Sequence, residues 1–208
     1  MKQISFFDLF NSSELSIIKS LNLLKNIDKK KFKKIKVTII SSYTTDYLSE
    51  NLKLLSLIKN INIEIFNAPF GSLKFLINDP ENKIWNNNSD FYFVIPSMEI
   101  LEFIQYPKNN KKTFNYRIKK EINSFSNKIN RINKKPIIFC SIPFPLTTPL
   151  GMSDSIHIEG NSTYIKQFNS AIFLEKITNL YFIDMDLIFT KFKDAFCNDR
   201  KLFFFGKQ

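Results

Sequence analysis

The clearest pattern in this sequence is an alternation of short apolar segments with longer amphipathic ones. The short segments are rich in β-branched and aromatic residues, whereas the longer ones repeat their apolar residues at helical spacing. The pattern predicts five strands, over residues 35–40, 61–66, 91–95, 137–141 and 180–183. A helical segment separates each strand from the next, which is typical of parallel sheets with right-handed crossovers. We therefore expect an α/β fold, a flavodoxin-like three-layer sandwich around a five-stranded parallel sheet.

The individual segments also predict where the strands lie in the sheet. The second strand alternates isoleucines with Asn62 and Glu64, which indicates a wetter strand near the sheet edge. The third strand is a continuous apolar run and should be central, buried on both faces. Helices are predicted over residues 46–59, 113–132 and 162–178, with a short one that ends at residues 78–80 and another that begins near Met98.

The first 33 residues form a separate N-terminal region in this interpretation. Ser12 or Ser13 can cap an amphipathic helix that extends to about Ile27, and a lysine-rich linker follows it. Residues 34–208 then make up one α/β domain, since 208 residues are too few for two α/β domains of ordinary size.

Composition excludes several classes of protein. Hydrophobic residues make up 44% of the chain and aromatic residues 15%, so it can bury enough apolar surface to fold. No apolar run approaches the roughly 20 residues of a membrane helix, and the N-terminus lacks a signal-peptide pattern, so we expect a cytoplasmic protein with no membrane contact. The two cysteines, Cys140 and Cys197, lack CxxC spacing, and the chain has one histidine. We expect no metal site, disulfide or cofactor.

The net charge of +11 raises the possibility of a nucleic-acid partner. The chain has only three arginines, Arg117, Arg131 and Arg200, among its 30 basic residues. Proteins that bind phosphates and bases usually rely on the bidentate guanidinium group. The lysines also accompany abundant Asn, Ile and Phe, which indicates a bias of the whole sequence. We therefore do not expect nucleic acid to be the partner.

A cluster of hydroxyl side chains, residues 41–45, follows the first strand directly and precedes a helix. Ligands of open α/β sheets bind outside the carboxyl ends of the strands, where helix N-termini offer free N–H groups. We expect the functional site at this cluster. The alternative is that these hydroxyls only cap the helix, as Ser and Thr commonly do.

The chain resembles the N-terminal SGNH-hydrolase-like domain of FkbH-type proteins. The resemblance covers most of the chain from Lys34 onward. It rests on residues 39–46 (Ile-Ile-Ser-Ser-Tyr-Thr-Thr-Asp), 68–71 (Ala-Pro-Phe-Gly), 78–80 (Asn-Asp-Pro), 90–95, 144–145 (Phe-Pro), 168–169 (Phe-Asn), 183–186 (Ile-Asp-Met-Asp) and 198–200 (Asn-Asp-Arg).

The resemblance implies an active site with a serine nucleophile, oxyanion donors and an Asp-x-x-His pair. Ser42 matches the nucleophile, with Ser41 or Thr44 in reserve. Gly71 matches the second element, although a glycine after Pro-Phe is also an ordinary turn residue. Ser97 stands near the position at which a hydrolase has an asparagine.

The fourth element of that active site has two candidate positions in the sequence. Asp199 lies where the family order requires the catalytic Asp, but Leu202 replaces the histidine. Asp154 and His157 fit Asp-x-x-His, and His157 is the only candidate general base near neutral pH, but they precede the fifth strand. We expect His157 to be a loop residue rather than the base.

Asp184 and Asp186 imitate the nucleophile strand of a haloacid-dehalogenase-type phosphatase, since two carboxylates at a strand end can hold Mg²⁺. Ile188 replaces the Thr or Val of that motif, and only 22 residues follow Asp186. We expect a strand end and a helix cap instead.

In FkbH-type proteins this domain precedes a phosphatase domain, and the pair loads a glyceryl unit onto the thiol of an acyl carrier protein. The resemblance therefore implies a role in acyl or glyceryl transfer in polyketide or surface-polysaccharide biosynthesis, in a form that has lost part of its catalytic apparatus. Its phosphatase step would come from a separately encoded protein. The alternatives are a non-catalytic docking module for such a phosphatase or for a carrier protein, and a small-ester (acetyl) hydrolase that uses His157.

Overall fold

The computed structural model describes residues 32–101, 111–132, 135–144, 151–157, 160–175 and 177–191. The expected N-terminal helix, Cys197 and Asp199 lie outside these residues. The strands are β1 (Lys33–Ser41), β2 (Ile61–Asn67), β3 (Phe91–Ile95), β4 (Ile137–Cys140) and β5 (Leu180–Ile183). The helices are α1 (Asp46–Ile58), α2 (Leu73–Asn78), α3 (Lys111–Ile132), α4 (Asn161–Leu174) and α5 (Met185–Lys191), with 3₁₀ turns at Met98–Ile100 and Gly151–Ser155.

The five strands form one parallel sheet in the order β2-β1-β3-β4-β5. This order and the flanking helices confirm the expected flavodoxin-like α/β sandwich. β2 is an edge strand and β3 is central, as the alternating and continuous apolar patterns predicted. None of the described helices combines the length and the apolarity that a membrane crossing requires.

The larger part of the core lies on the face of the sheet that α2, α3 and α4 cover. Tyr92, Val94 and Phe139 point to this side and are fully buried. Phe125 of α3 packs edge-on against both Phe139 and Phe168, with ring centroids 5.3 and 5.4 Å apart, which ties the sheet to two helices at once. The apolar stripes of α3 and α4 therefore decide how these helices sit on the sheet.

The opposite face explains the one error in the prediction for β3. The residues of β3 that point to this face, Phe91, Phe93 and Ile95, are only half-buried. On this face α1 packs on β2, and its Leu54 and Leu57 are buried. The prediction that β3 is buried on both faces is therefore wrong for these three residues.

Two helix boundaries also differ from the prediction. The helix expected near Met98 is a single 3₁₀ turn that ends at Ile100. Helix α4 ends at Leu174 rather than at residue 178, because the next residue, Glu175, is already extended (φ −68°, ψ 113°). The chain then turns at Asn179 (φ 59°) before β5, and Asn tolerates this left-handed conformation better than most residues.

Candidate functional site

The carboxyl ends of β1 and β3 meet at the point where the strand order reverses. From β1 the chain passes outward to β2 and then returns to β3 on the other side of β1. Ligands of open α/β folds bind in the crevice at such a switch point. The structure brings Ser42 and Ser97 together there, since the Ser97 N–H donates to the Ser42 hydroxyl oxygen over 3.1 Å.

Ser42 is held by hydrogen bonds on both its backbone and its side chain. Its N–H donates to the carbonyl of Ile95 over 3.0 Å, which continues the pairing of β1 with β3. Its side-chain oxygen accepts the Ser97 N–H, and the residue is 2% exposed. The backbone N–H of Ser42 is therefore already hydrogen-bonded within the sheet and cannot donate to a ligand.

The neighbouring hydroxyls stabilise the turn rather than the helix that follows it. The Ser41 oxygen accepts the Tyr43 N–H over 2.9 Å, and Ser41 is buried. Helix α1 has Thr45 at its N-cap position, without a side-chain capping hydrogen bond. The alternative expectation, in which these hydroxyls cap the helix, is therefore wrong for Ser41 and Ser42. Thr44 is exposed at the edge of the crevice.

Gly71 lies in a tight turn after β2. The Ser72 N–H donates to the carbonyl of Pro69 over 3.2 Å, and Gly71 has φ +70° at the third position of this turn. A positive φ at that position defines a type II turn and favours glycine. A Cβ on Gly71 would meet no atom within 4 Å, so the turn conformation, and not close packing, requires glycine here. The role of Gly71 as an oxyanion donor stays a prediction.

Ser97 has two structural partners. Besides donating its N–H to Ser42, it accepts the Glu99 N–H on its side-chain oxygen over 3.2 Å, and so caps the 3₁₀ turn that follows β3. Glu99 also acts on Tyr43: burial, and then the negative charge of Glu99, raise the pKa of the Tyr43 phenol. Tyr43 therefore stays protonated near neutral pH and can donate a hydrogen bond.

Asp154 serves helix α4. Its carboxylate is 1% exposed and accepts the Ser162 N–H in the first turn of α4 over 2.6 Å. Gly160, at the N-cap, approaches so closely that a Cβ there would lie 1.8 Å from the Asp154 carbonyl oxygen. His157 is exposed in the loop between them, as the sequence predicted. The Asp-x-x-His spacing thus corresponds to a helix cap followed by a loop histidine.

Asp184 and Asp186 stand at the end of β5 and also have structural partners. Asp184 accepts the Leu187 N–H over 3.1 Å, which confirms the expected helix cap, now at α5. Asp186 accepts the Phe144 N–H over 3.4 Å. Burial raises the pKa of Asp186 and the charge of Asp184 adds to this, while the Phe144 N–H and Lys166 act in the opposite direction. Within the described ranges no three His, Cys, Asp or Glu side chains lie close enough to hold a metal ion.

A second cleft at the carboxyl edge was missed by the sequence interpretation. It has a volume of about 410 Å³ and lies between β4, β5 and α4. Ser141, directly after β4, accepts the Met185 N–H over 2.9 Å. The Asn169 amide accepts the Ile142 N–H over 3.0 Å and donates to the Ile142 carbonyl over 2.8 Å. A sequence pattern for this cleft exists, since Ser141 is a polar residue at the end of an apolar strand, as Ser41 is. The predicted strand over residues 137–141 includes Ser141, whereas β4 ends at Cys140.

Comparison with known proteins supports the fold. No protein-family model matches this sequence, and no curated protein sequence matches it significantly. The structure is similar to a crystal structure of the N-terminal part of the protein BF1531 from Bacteroides fragilis, which contains a phosphatase domain complexed with Mg, with a TM-score of 0.73 and 17% sequence identity. The match covers 91% of this chain and 50% of the other, so this chain spans about half the length of that structure. At this identity the likeness shows a shared fold, and it agrees at that level with the resemblance to the N-terminal domain of FkbH-type proteins.

Proposed function

We propose that this chain is an FkbH-like domain that holds the substrate of an acyl or glyceryl transfer to an acyl carrier protein, without using Ser42 as a nucleophile. The observation that supports this most directly is the state of Ser42. The residue is 2% exposed, its N–H pairs with Ile95, and its hydroxyl oxygen accepts the Ser97 N–H. A serine nucleophile needs an accessible oxygen and a general base within hydrogen-bond reach.

The position of the only histidine also favours a non-catalytic role. His157 follows β4, which lies two strands away from β1 in the sheet. Asp154, the carboxylate that would orient His157, is bonded to the first turn of α4 instead. The small-ester hydrolase alternative needs His157 to act on Ser42, so this arrangement disfavours it.

The carrier protein as partner is supported by charge and by the position of the crevice. The chain carries a net charge of +11, which complements an acidic partner and accelerates its association. In this proposal the phosphopantetheine arm enters beside Ser42, Gly71 and Ser97 at the carboxyl edge. A phosphatase of the haloacid-dehalogenase type is the second partner in the proposal.

Intact mass after incubation with a serine-reactive phosphonate tests the state of Ser42. We expect no stoichiometric adduct on the native chain. We also expect Ser42→Ala to lower the free energy of unfolding by about 0.5–1.5 kcal/mol, because the N–H of the half-buried Ser97 loses its acceptor. An adduct that is present on the native chain and on Ser141→Ala, but lost in Ser42→Ala, would show a working nucleophile and refute the proposal.

Binding of a phosphopantetheine-loaded acyl carrier protein tests the role of the crevice. We expect Thr44→Trp, which places a bulky ring at the edge of the crevice, to weaken binding by at least tenfold. The matched control is Asn88→Trp, because Asn88 is also exposed but lies in the loop before β3, at the opposite edge of the sheet. Equal affinity of the two variants would contradict binding at the carboxyl edge.

A further inference from the structure

A basic cavity of about 460 Å³ lies between α2 and α3, away from the serines of the switch point. Its volume is within the range of small-molecule sites. Four cationic side chains and one carboxylate line it, together with apolar side chains from both helices. The cationic residues are Lys74, Arg117, Lys120 and Lys128.

Helix α3 supplies most of the lining through one face. Its residues at positions 117, 120, 121, 124, 125 and 128 border the cavity, which is the spacing of one side of an α-helix. The apolar core of this face, represented by Phe125, packs toward the sheet. The basic residues flank that core, so charged and apolar groups meet within one cavity.

Arg117 gives the clearest indication that the cavity binds a ligand. Its Nη1 atom is buried and has no hydrogen-bond partner. No ion pair joins the guanidinium to a carboxylate of the described residues, even though Glu121 lines the same cavity one helical turn away. A buried guanidinium donor without an acceptor is costly, and its planar fork suits a carboxylate or a phosphate.

The apolar side chains of the cavity indicate which kind of group is attached to the anion. Ile77, Phe125 and Phe168 are buried side chains that line it, and Ile100 from the 3₁₀ turn joins them. A purely polar ion would make few favourable contacts with these apolar side chains. An apolar chain attached to the anion would bury its own surface in the cavity and gain contacts with them.

We propose that this cavity binds an amphiphilic anion, a carboxylate or phosphate head group on a short apolar chain, with Arg117 as the main contact of the head group. Lys74, Lys120 and Lys128 add positive charge around it, and Ile77, Phe125 and Phe168 contact the chain. The cavity is separate from Ser42 and Ser97, so this site does not rest on the function proposed above.

Isothermal titration of the full chain with four probes tests the site. Octanoate and octyl phosphate carry head and tail, inorganic phosphate carries only the head, and octanol only the tail. We expect one or both of the first two to bind at least tenfold more tightly than the last two. Which of them binds distinguishes a carboxylate ligand from a phosphate ligand.

Two variants of the same helix show whether Arg117 is responsible. Arg117→Gln should weaken binding at least tenfold, whereas Arg131→Gln should leave it unchanged, because Arg131 is exposed at the end of α3 and does not line the cavity. Absence of binding by both amphiphiles, or an equal effect of the two substitutions, would overturn the proposal.

The ligand-free chain offers a second test. Replacement of Arg117 by Met removes a guanidinium whose Nη1 atom is buried without a partner, and Met is a long side chain that suits a helix. We expect Arg117→Met to raise Tm by about 2–4 °C, while Arg131→Met leaves it unchanged. A lower Tm for Arg117→Met would show that the guanidinium is already satisfied in the native protein and would contradict the site.

Discussion

The substitution Asp154→Ala tests whether Asp154 belongs to a helix cap or to a catalytic pair. In the structure its buried carboxylate accepts the Ser162 N–H over 2.6 Å, at the positive end of the α4 dipole. Alanine removes this acceptor and leaves the N–H of a buried residue without a partner. The effect of the substitution should therefore be on stability.

The expected magnitude follows from two opposing contributions. A hydrogen bond to a charged group contributes about 1.5–3 kcal/mol to stability. The second carboxylate oxygen of Asp154 is buried without a partner, and its desolvation offsets part of this gain. We therefore expect a loss of about 2 kcal/mol, near the lower end of that range. For a chain of this size the loss corresponds to a decrease in Tm of about 4–8 °C.

Urea unfolding followed by fluorescence measures this loss directly. The chain has one tryptophan, Trp85, which is buried and packs edge-on against Tyr92 with ring centroids 5.2 Å apart. Its emission therefore reports on loss of the core. Asp154→Asn keeps an acceptor without the charge and should fall between the native chain and Asp154→Ala. The exposed His157 provides the control, since His157→Ala should change stability by less than about 0.5 kcal/mol.

Two results would refute this role for Asp154. The first is a loss below about 0.5 kcal/mol for Asp154→Ala, because a helix cap of this geometry cannot be removed at so low a cost. The second is an equal loss of a measurable hydrolytic activity in Asp154→Ala and His157→Ala with stability unchanged. That result would indicate that the pair acts in catalysis.

Two further predictions concern the carboxyl edge and the core. Asn169→Leu removes both hydrogen bonds to Ile142 and should lower the free energy of unfolding by about 2–3 kcal/mol in the same urea assay. Unchanged stability would show that Asn169 does not stabilise the backbone at Ile142. Burial raises the pKa of the Cys140 thiol from 9.0 to about 12, so in a Cys197→Ser background Cys140 should react with a thiol reagent at pH 8 only after unfolding. Between pH 9.0 and about 12 the thiol of the unfolded chain loses its proton, while Cys140 of the folded chain keeps it. Cys140 therefore makes the free energy of unfolding fall as the pH rises through this range. In the Cys197→Ser background, Cys140→Ala should weaken that decrease.

Much of the fold could be predicted because its signals are local. The β-branched runs that became β1 and β4 and the helical spacing of α3 lie within single segments, so their order alone indicates a parallel sheet. The errors arose where distant segments decide the outcome. How deeply Phe93 is buried depends on which helices cover its face of the sheet, and the end of α4 depends on where β5 must begin.

The candidate site was predicted in position but not in detail. The hydroxyls after β1 were expected at the carboxyl edge, and the structure places Ser42 beside Ser97 there. The hydrogen bonds of Ser42 were not predictable, because Ser97 is 55 residues away in the sequence. The catalytic role expected for Asp199 stays a prediction, since that residue lies outside the described part of the chain.

The sequence by itself determined the order of strands and helices and the edge of the sheet at which polar side chains collect. Those properties follow from apolar periodicity, which each segment carries regardless of its neighbours. Only the tertiary structure decided which polar group each side chain contacts: Asp154 bonds to α4 rather than to His157, and the Nη1 atom of Arg117 is buried at the basic cavity without an acceptor. Hydrogen bonding at buried positions depends on groups brought together from distant segments, and no local pattern encodes that meeting.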